Sequence, residues 1–254
     1  MLLLSNTNFY ILKIIKLNAI DSTNSFLKNA NRENILEDET FVRAKTQTNG
    51  RGQMGTNWNA VEGKSLTFSL LKRFRALPLD SQASLSFAVA LSIRDALEAL
   101  QIPKLSIKWP NDIMSYNKKV CGILIENQTE GNKISVSIIG IGININETEF
   151  KDLPQASSLL LSSGNFQNIE EVFEKVADSL LKELVNVENG LFPILKKRYE
   201  SYLFRKNKIS VFEDEKGMRF NGIIKGVTDF GALQIEDENQ KISVFQLKQV
   251  KLLF

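Results

Sequence analysis

The sequence predicts an α/β body with a small all-β unit appended. Three observations carry that prediction. Apolar, β-branched runs alternate with helically spaced apolar stripes as far as about residue 203. Beyond residue 204 no helical stripe fits, and four or five short strands follow between turns. A glycine-rich segment and a lysine-bearing segment stand at the ends of strands, where ligand sites concentrate in α/β folds.

The elements follow in order. Residues 9–20 are apolar and β-branched, a strand. Asp21-Ser22-Thr23-Asn24 offers N-cap side chains before Phe26, Leu27 and Ala30, so a short helix starts there. Phe41–Ala44 reads as a strand entering a glycine loop, and residues 65–73 as a strand leaving it. Asp80 is placed to cap a helix whose stripe is Leu85, Val89, Ile93, Ala96, Leu97 and Leu100, and Pro103 ends it. Residues 104–109 form a strand that Pro110 terminates, because proline has no ladder N–H. Tyr116–Lys119 makes a turn, and residues 119–127 and 133–143 make two strands around Glu130-Gly131-Asn132. Asn168, with Glu171 three residues on, forms a capping box for a helix striped by Ile169, Phe173, Val176, Leu180, Leu184 and Val187. A last helix covers about 191–203. Turns at Asp214–Gly217, Asp229–Gly231 and Asp237–Asn239 then punctuate the all-β end, a small barrel. The boundary falls near Phe204–Asn207 and divides a body, 1–204, from a barrel, 205–254.

Composition narrows the chemistry. The 254 residues hold 32 Lys plus Arg against 29 Asp plus Glu, a net charge of +3. That balance is too even for a general nucleic-acid surface. There is no histidine and one cysteine, Cys121. Histidine-based nucleophilic machinery is excluded, and a zinc or iron site is disfavoured. Catalysis has to rest on positioning, cationic charge, carboxylates and magnesium. No run has the length of a membrane span, and Met1–Asn6 lacks the basic start of a signal peptide, so a cytoplasmic protein is expected.

Two segments carry the functional reading. Gly50-Arg51-Gly52-Gln53-Met54-Gly55, followed by Thr56-Asn57-Trp58, places glycines at i, i+2 and i+5. Such a loop lets backbone approach a ligand, and its arginine offers a fork of donors to phosphate or carboxylate. By itself it is more simply a long hairpin connection; it is neither a P-loop nor a dinucleotide fingerprint. Lys108-Trp109-Pro110-Asn111-Asp112, followed by Lys119 and Gly122, groups lysine, aromatic, amide and carboxylate at a strand end. Its plainer reading is a core tryptophan, a strand stop and a turn. Gly140-Ile141-Gly142-Ile143-Asn144 alternates small and large residues, as in close strand packing or a ligand lying on bare backbone. Lys196-Lys197-Arg198 reads as the solvated face of the last helix.

Taken together and in this order, these residues resemble the biotin protein ligases, from about Asp21 to the C-terminal barrel. Ser22-Thr23-Asn24 is similar to the family's biotin-contacting segment, and Gln47 stands at its biotin-binding glutamine. Gly50-Arg51-Gly52-x-x-Gly55 resembles the biotinyl-adenylate loop, with Trp58 as the tryptophan that covers adenine. Lys108–Asp112 resembles the signature strand end, Lys119 and Gly122 the pair beside the biotin carboxylate, and Gly140-x-Gly142-x-Asn144 the strand whose asparagine reads adenine.

The resemblance implies an α+β fold of class II synthetase type: a central mixed sheet with helices packed on one side, plus a C-terminal SH3-like barrel. It implies biotin bound by Ser22, Thr23, Asn24, Gln47, Gly50, Arg51, Lys119, Gly122 and Gly140. It implies ATP or adenylate bound by Arg51, Gly52, Gln53, Gly55, Trp58, Lys108, Asn111 and Asn144. Arg51, Lys119 and Asp112 would carry the chemistry, and Mg2+ would arrive with ATP. Biotin and ATP form biotinyl-5′-AMP, and a lysine on the biotin carboxyl carrier protein of acetyl-CoA carboxylase or a related carboxylase then takes the acyl group. No DNA or membrane partner is expected. A homodimer through sheet-edge strands is compatible with the family. Two departures stand out. Gln53, Met54 and Thr56 replace loop arginines found in many members, which makes the loop less cationic. Only about twenty residues precede Ser22, which implies a short form without an N-terminal DNA-binding domain. The nearest rival is a lipoate or octanoate ligase or transferase of the same fold.

Overall fold

The structure, a computed structural model, describes residues 12–33 and 36–254. Residues 9–11 of the first expected strand and the segment Met1–Asn6 lie outside the described residues. In chain order the elements are β1 (Lys13–Ile20), α1 (Thr23–Arg32), β2 (Thr40–Gln47), β3 (Ser65–Pro78), α2 (Gln82–Ala99), β4 (Leu105–Lys108), β5 (Asp112–Ser115), β6 (Lys118–Glu130), β7 (Lys133–Asn144), α3 (Leu159–Ser163), α4 (Ile169–Glu188), α5 (Phe192–Ser201) and β8 (Ile209–Asp214). The last four strands are β9 (Arg219–Val227), β10 (Leu233–Glu236), β11 (Ile242–Phe245) and β12 (Val250–Leu253).

The first seven strands make one sheet, ordered β1-β2-β3-β7-β6-β5-β4. It is mixed: β1 and β2 run parallel, and the remaining pairs are antiparallel. Side chains alternate faces along each strand, which divides the sheet's work in two. Phe41, Phe68, Leu70, Ile139 and Ile141 point to one face, where α2, α4 and α5 cover them. Phe41, Phe68 and Phe173 meet there with ring centroids 5.1–6.2 Å apart. Helix α2 lies between the sheet and the other helices and is buried on almost every side, with Leu85, Val89, Ile93 and Leu97 fully enclosed. The opposite face holds a smaller cluster, Leu27, Val42, Leu71, Val136 and Ile138, beneath the ten-residue α1.

Asp80 does not cap α2. It sits in a short 3-10 turn, Leu79–Ser81, and Ser81 occupies the N-cap without a side-chain bond. The turn continues directly into the helix and carries the chain round from β3 without a capping side chain. Asn168 does cap α4, accepting from the backbone N–H of Glu170 (2.9 Å) and Glu171 (3.3 Å). In the run Lys196–Arg198, Lys197 is exposed as expected, while its two neighbours are pinned: Lys196 pairs with Asp229, and Arg198 with Asp95 and Glu183.

The last five strands form a separate antiparallel sheet, ordered β11-β10-β9-β8-β12. Its inner residues Phe212, Ile224, Val227, Leu233, Ile235 and Val250 belong to the same continuous core as α2 and α5. Trp109 donates from Nε1 to the Gly231 carbonyl at 2.8 Å, and Val227 N–H donates to Glu200 Oε1 at 3.0 Å. Tyr199 is fully buried where these parts meet, 4.3 Å from Phe87 by ring centroids, and burial pushes its phenol up. Among the described residues no helix is long and apolar enough to cross a membrane.

Candidate active site

The site lies on the α1 face of the large sheet, where that face carries almost no side chain. Gly142 stands opposite both Thr67 on β3 and Gly122 on β6; Gly140 stands opposite Ser69 and Leu124. Glycines and short hydroxyl residues on three adjacent strands leave a floor of nearly bare backbone. Two groups lie directly on that floor. A methyl at Gly140 would meet Asn24 Oδ1 at 2.3 Å, and one at Gly142 would meet the Trp58 indole at 2.2 Å.

The first turn of α1 supplies one wall. Ser22, Thr23 and Asn24 are buried to 4% exposure or less. Ser22 is the helix N-cap but makes no side-chain cap bond, and it lines the cavity. Thr23 donates to Gln47 Oε1 from its backbone N–H (2.8 Å) and from its hydroxyl (3.1 Å). The Thr23 and Ser69 hydroxyls lie 2.7 Å apart, and Ser69 donates to Asn24 Oδ1 at 2.6 Å. Asn24 Nδ2 then donates to Glu126 at 2.8 Å, and Glu126 also accepts from Arg51 Nη2 at 3.0 Å. A single hydrogen-bonded chain therefore runs from Gln47 through Thr23, Ser69, Asn24 and Glu126 to Arg51.

The glycine loop closes on itself. Trp58 N–H donates to the Gly50 carbonyl at 2.9 Å and Gly52 N–H to the Thr56 carbonyl at 2.6 Å, with a 3-10 turn at Gln53–Gly55. Gly50 is required because a Cβ there would stand 2.3 Å from the Trp58 carbonyl oxygen; Gly55 is required because its φ is +84°. The Gly52 N–H is thus consumed within the loop and is not left for a ligand. Trp58 lies over Gly142 and Gly122 with its Nε1 buried and without a partner.

The far wall comes from the β4–β5 connection and β6. Lys119 Nζ pairs with Asp112 at 2.7 Å and sits 5.6 Å from the Trp58 ring centroid. Asn111 donates from Nδ2 to the Ile123 carbonyl. Together these parts enclose a cavity of about 250 Å3. Of the residues singled out from the sequence, Ser22, Thr23, Asn24, Gln47, Arg51, Gly52, Gln53, Trp58, Asn111, Asp112, Lys119, Gly122 and Gly140 line it. Gly50 and Gly55 shape the loop without lining the cavity. Asn144 is buried, donates to the Ser157 carbonyl at 3.0 Å, and faces a neighbouring groove shared with Trp58 and Lys119. Lys108 lies in another groove with Gln53, Lys248 and Lys251. Burial holds its ammonium below the ordinary lysine value, and it stands 5.1 Å from the Phe254 ring centroid.

Sequence reasoning missed Thr67, Ser69 and Glu126. The signal for the first two was present: Ser65, Thr67 and Ser69 put a polar residue at every second position of an otherwise apolar strand, Ser65-Leu66-Thr67-Phe68-Ser69-Leu70. Glu126 gave no such signal, because a glutamate near a strand end reads as a solvated charge. Chemically, the arrangement joins an acceptor-rich polar cluster at one end to two cations, Arg51 and Lys119, at the other.

Comparison with known proteins agrees with this geometry. Residues 17–144 match the model of the biotin/lipoate A/B protein ligase family. The bifunctional ligase/repressor BirA of Bacillus spizizenii is 32% identical over 211 residues, 81% of this chain and 61% of that protein. The chain therefore spans about 61% of the length of this relative. The biotin–[acetyl-CoA-carboxylase] ligase of Paracoccus denitrificans is 37% identical over 112 residues, 43% of this chain and 46% of that one. Among solved structures, the biotin protein ligase of Aquifex aeolicus in complex with biotin and ATP superposes with a TM-score of 0.77 at 28% identity, covering 95% of this chain and 98% of the other. The mixed sheet, the glycine floor and the family match over half the chain converge: this protein belongs to the biotin/lipoate A/B protein ligase family.

Proposed function

We propose that the chain is a biotin protein ligase, which joins biotin to ATP as biotinyl-5′-AMP and then transfers the biotinyl group to a lysine of a carrier domain. The observation that carries biotin over other acids is the surplus of acceptors in the polar cluster. Three contacts, Thr23 to Gln47, Thr23 with Ser69, and Ser69 to Asn24, share only two hydroxyl protons. Gln47 Oε1 is also held by the Thr23 backbone N–H, so the cluster is satisfied either way the two protons point, and it presents carbonyl and hydroxyl oxygens with spare lone pairs to a ligand that brings donors. The ureido ring of biotin brings two N–H donors. The dithiolane of lipoate and the tail of octanoate bring none.

In the first step a carboxylate oxygen of biotin attacks the α-phosphorus of ATP, and the bond to the β-phosphate oxygen breaks as pyrophosphate leaves. Two anions must approach each other, so cations at the meeting point lower the barrier. Arg51 and Lys119 serve there, with Lys119 held by Asp112. Gln53, Gly52, Trp58, Lys108, Asn111 and Asn144 would surround the nucleotide. Mg2+ carried on the triphosphate would neutralise part of its charge, and Asp112 is the carboxylate that lines the cavity. In the second step the acceptor amine attacks the acyl carbon, an amide forms, AMP departs, and Asp112 is placed to receive the amine's proton once the ligand engages Lys119.

The acceptor we propose is the biotin carboxyl carrier protein of acetyl-CoA carboxylase or a related carboxylase, which the Paracoccus relative's name supports as far as acetyl-CoA carboxylase, and the location we propose is the cytoplasm. The functional division is a catalytic body, 1–204, and a barrel, 205–254. The test is incubation with ATP, Mg2+, biotin and a carrier domain, followed by mass spectrometry of the carrier, with lipoate and octanoate in parallel. A gain of one biotin that requires ATP is expected. Transfer of lipoate but not biotin would move the substrate and retain the fold.

A further inference from the structure

Glu126 lies on β6, two residues beyond Leu124, on the face that carries the site. Its side chain is 23% exposed and it does not line the cavity, whereas Arg51 and Asn24 do. One oxygen, Oε2, accepts from both Arg51 Nη2 (3.0 Å) and Asn24 Nδ2 (2.8 Å). The other, Oε1, faces Lys28 Nζ at 3.9 Å. The carboxylate therefore stands behind the arginine, on the side away from the ligand.

We propose that Glu126 is the positioning residue for Arg51. The inference rests on the ligase reading above. A guanidinium is planar, so fixing Nη2 from behind restricts the whole fork, while its other N–H groups remain for an anion in the cavity. Without Glu126, the side-chain hydrogen bond left to Arg51 among the described residues is the one to Ser25 Oγ at 3.3 Å, a weak tether for a long, rotamer-rich side chain on a loop. The same carboxylate fixes Asn24: an ionised acid only accepts, so Nδ2 faces Glu126 and Oδ1 faces Ser69. Glu126 thus ties the loop to the first turn of α1.

The test is the rate of pyrophosphate release during biotinyl-adenylate formation in the full chain, comparing wild type, Glu126→Ala, Arg51→Ala and the double variant. Glu126→Ala is expected to lower kcat by about ten- to a hundredfold, the cost of a misplaced catalytic group, while the KM for biotin moves less than about threefold. Because Glu126 acts through Arg51, the double variant should be no slower than Arg51→Ala alone. Glu126→Asp should recover part of the rate, which a role in filling space would not predict. Multiplying effects in the double variant, or a change in KM alone, would overturn the proposal and assign the effect to Asn24. Should Glu126→Ala not fold, Glu126→Gln tests the same point, since it keeps the volume and removes the charge. A wild-type protein that releases no pyrophosphate would refute the ligase reading itself, a distinguishable outcome.

Discussion

Gly142→Ala isolates what the bare floor does. The added methyl would lie 2.2 Å from Trp58 Cε2, and ordinary contact begins at 3.4 Å, so the indole has to lift by about 1.2 Å. Lifting one face of an indole exposes roughly 50–100 Å2, which at about 25 cal/mol per Å2 costs about 1–2.5 kcal/mol. Alanine in a strand recovers about 0.5–1 kcal/mol of glycine's entropy. The net loss, about 0–2 kcal/mol, corresponds to a fall in Tm of at most several degrees for a chain of this size. Ligand affinity should suffer more. A methylene forced into a packed site costs about 1–3 kcal/mol, or about five- to 150-fold in Kd. Calorimetric titration with biotin and then ATP, beside a thermal melt of the same sample, reads both quantities. Binding within about threefold of wild type by a folded variant would refute the view that ligand lies against this floor.

Other outcomes follow from the same geometry. Arg51→Ala and Lys119→Ala should each keep the fold and lose adenylate formation by about a hundredfold or more, read as pyrophosphate release; near-normal yield from both would sink the proposed electrostatic role. Lys108→Met should raise Tm at neutral pH and depress turnover. Burial holds this lysine below 10.5, so between its folded value and 10.5 the unfolded chain binds the extra proton, and its contribution to stability rises with pH through that window. The variant's melts should lose that pH dependence. Cys121 is fully buried and burial pushes its thiol up, so iodoacetamide at pH 8 should label it only after unfolding; labelling of the native protein at a free-thiol rate would contradict the packing. Trp109→Phe removes the bond to the Gly231 carbonyl and should cost about 1–3 kcal/mol in denaturant unfolding with an unchanged slope.

The long periodic elements were legible before the structure. The stripe Leu85–Leu97 and the Asn168 cap fall where their spacing put them, and the all-β end forms its own sheet. Short elements were not legible. Asp112–Ser115 reads as turn chemistry through its Asn111-Asp112 start, and it becomes β5 because β6 is available to pair with it. Helix α3 has five residues, fewer than two turns, too few to show a period. Most of the residues picked from the two motif segments do converge on one cavity. Glu126 and Ser69 could not be picked, because their roles come from neighbours 45 to 102 residues away in the chain, Arg51, Asn24 and Thr23 among them. Lys108 was legible as a charge but not in its surroundings, which β12 and the chain end supply.

The core shared by the two sheets has a consequence for how binding will be observed. Phe87 and Tyr199 pack into the same apolar cluster as Phe212, Ile224 and Val250, so heat should dismantle both sheets together. A ligand that binds only the folded form then stabilises all of it, by about 2.7 kcal/mol at a hundred times its Kd. Amide exchange in β8–β12 should slow on adding biotin and ATP even in strands that no ligand touches. Protection mapped onto the C-terminal sheet will therefore measure global linkage, and a docking footprint for the carrier has to be read from changes beyond that common shift.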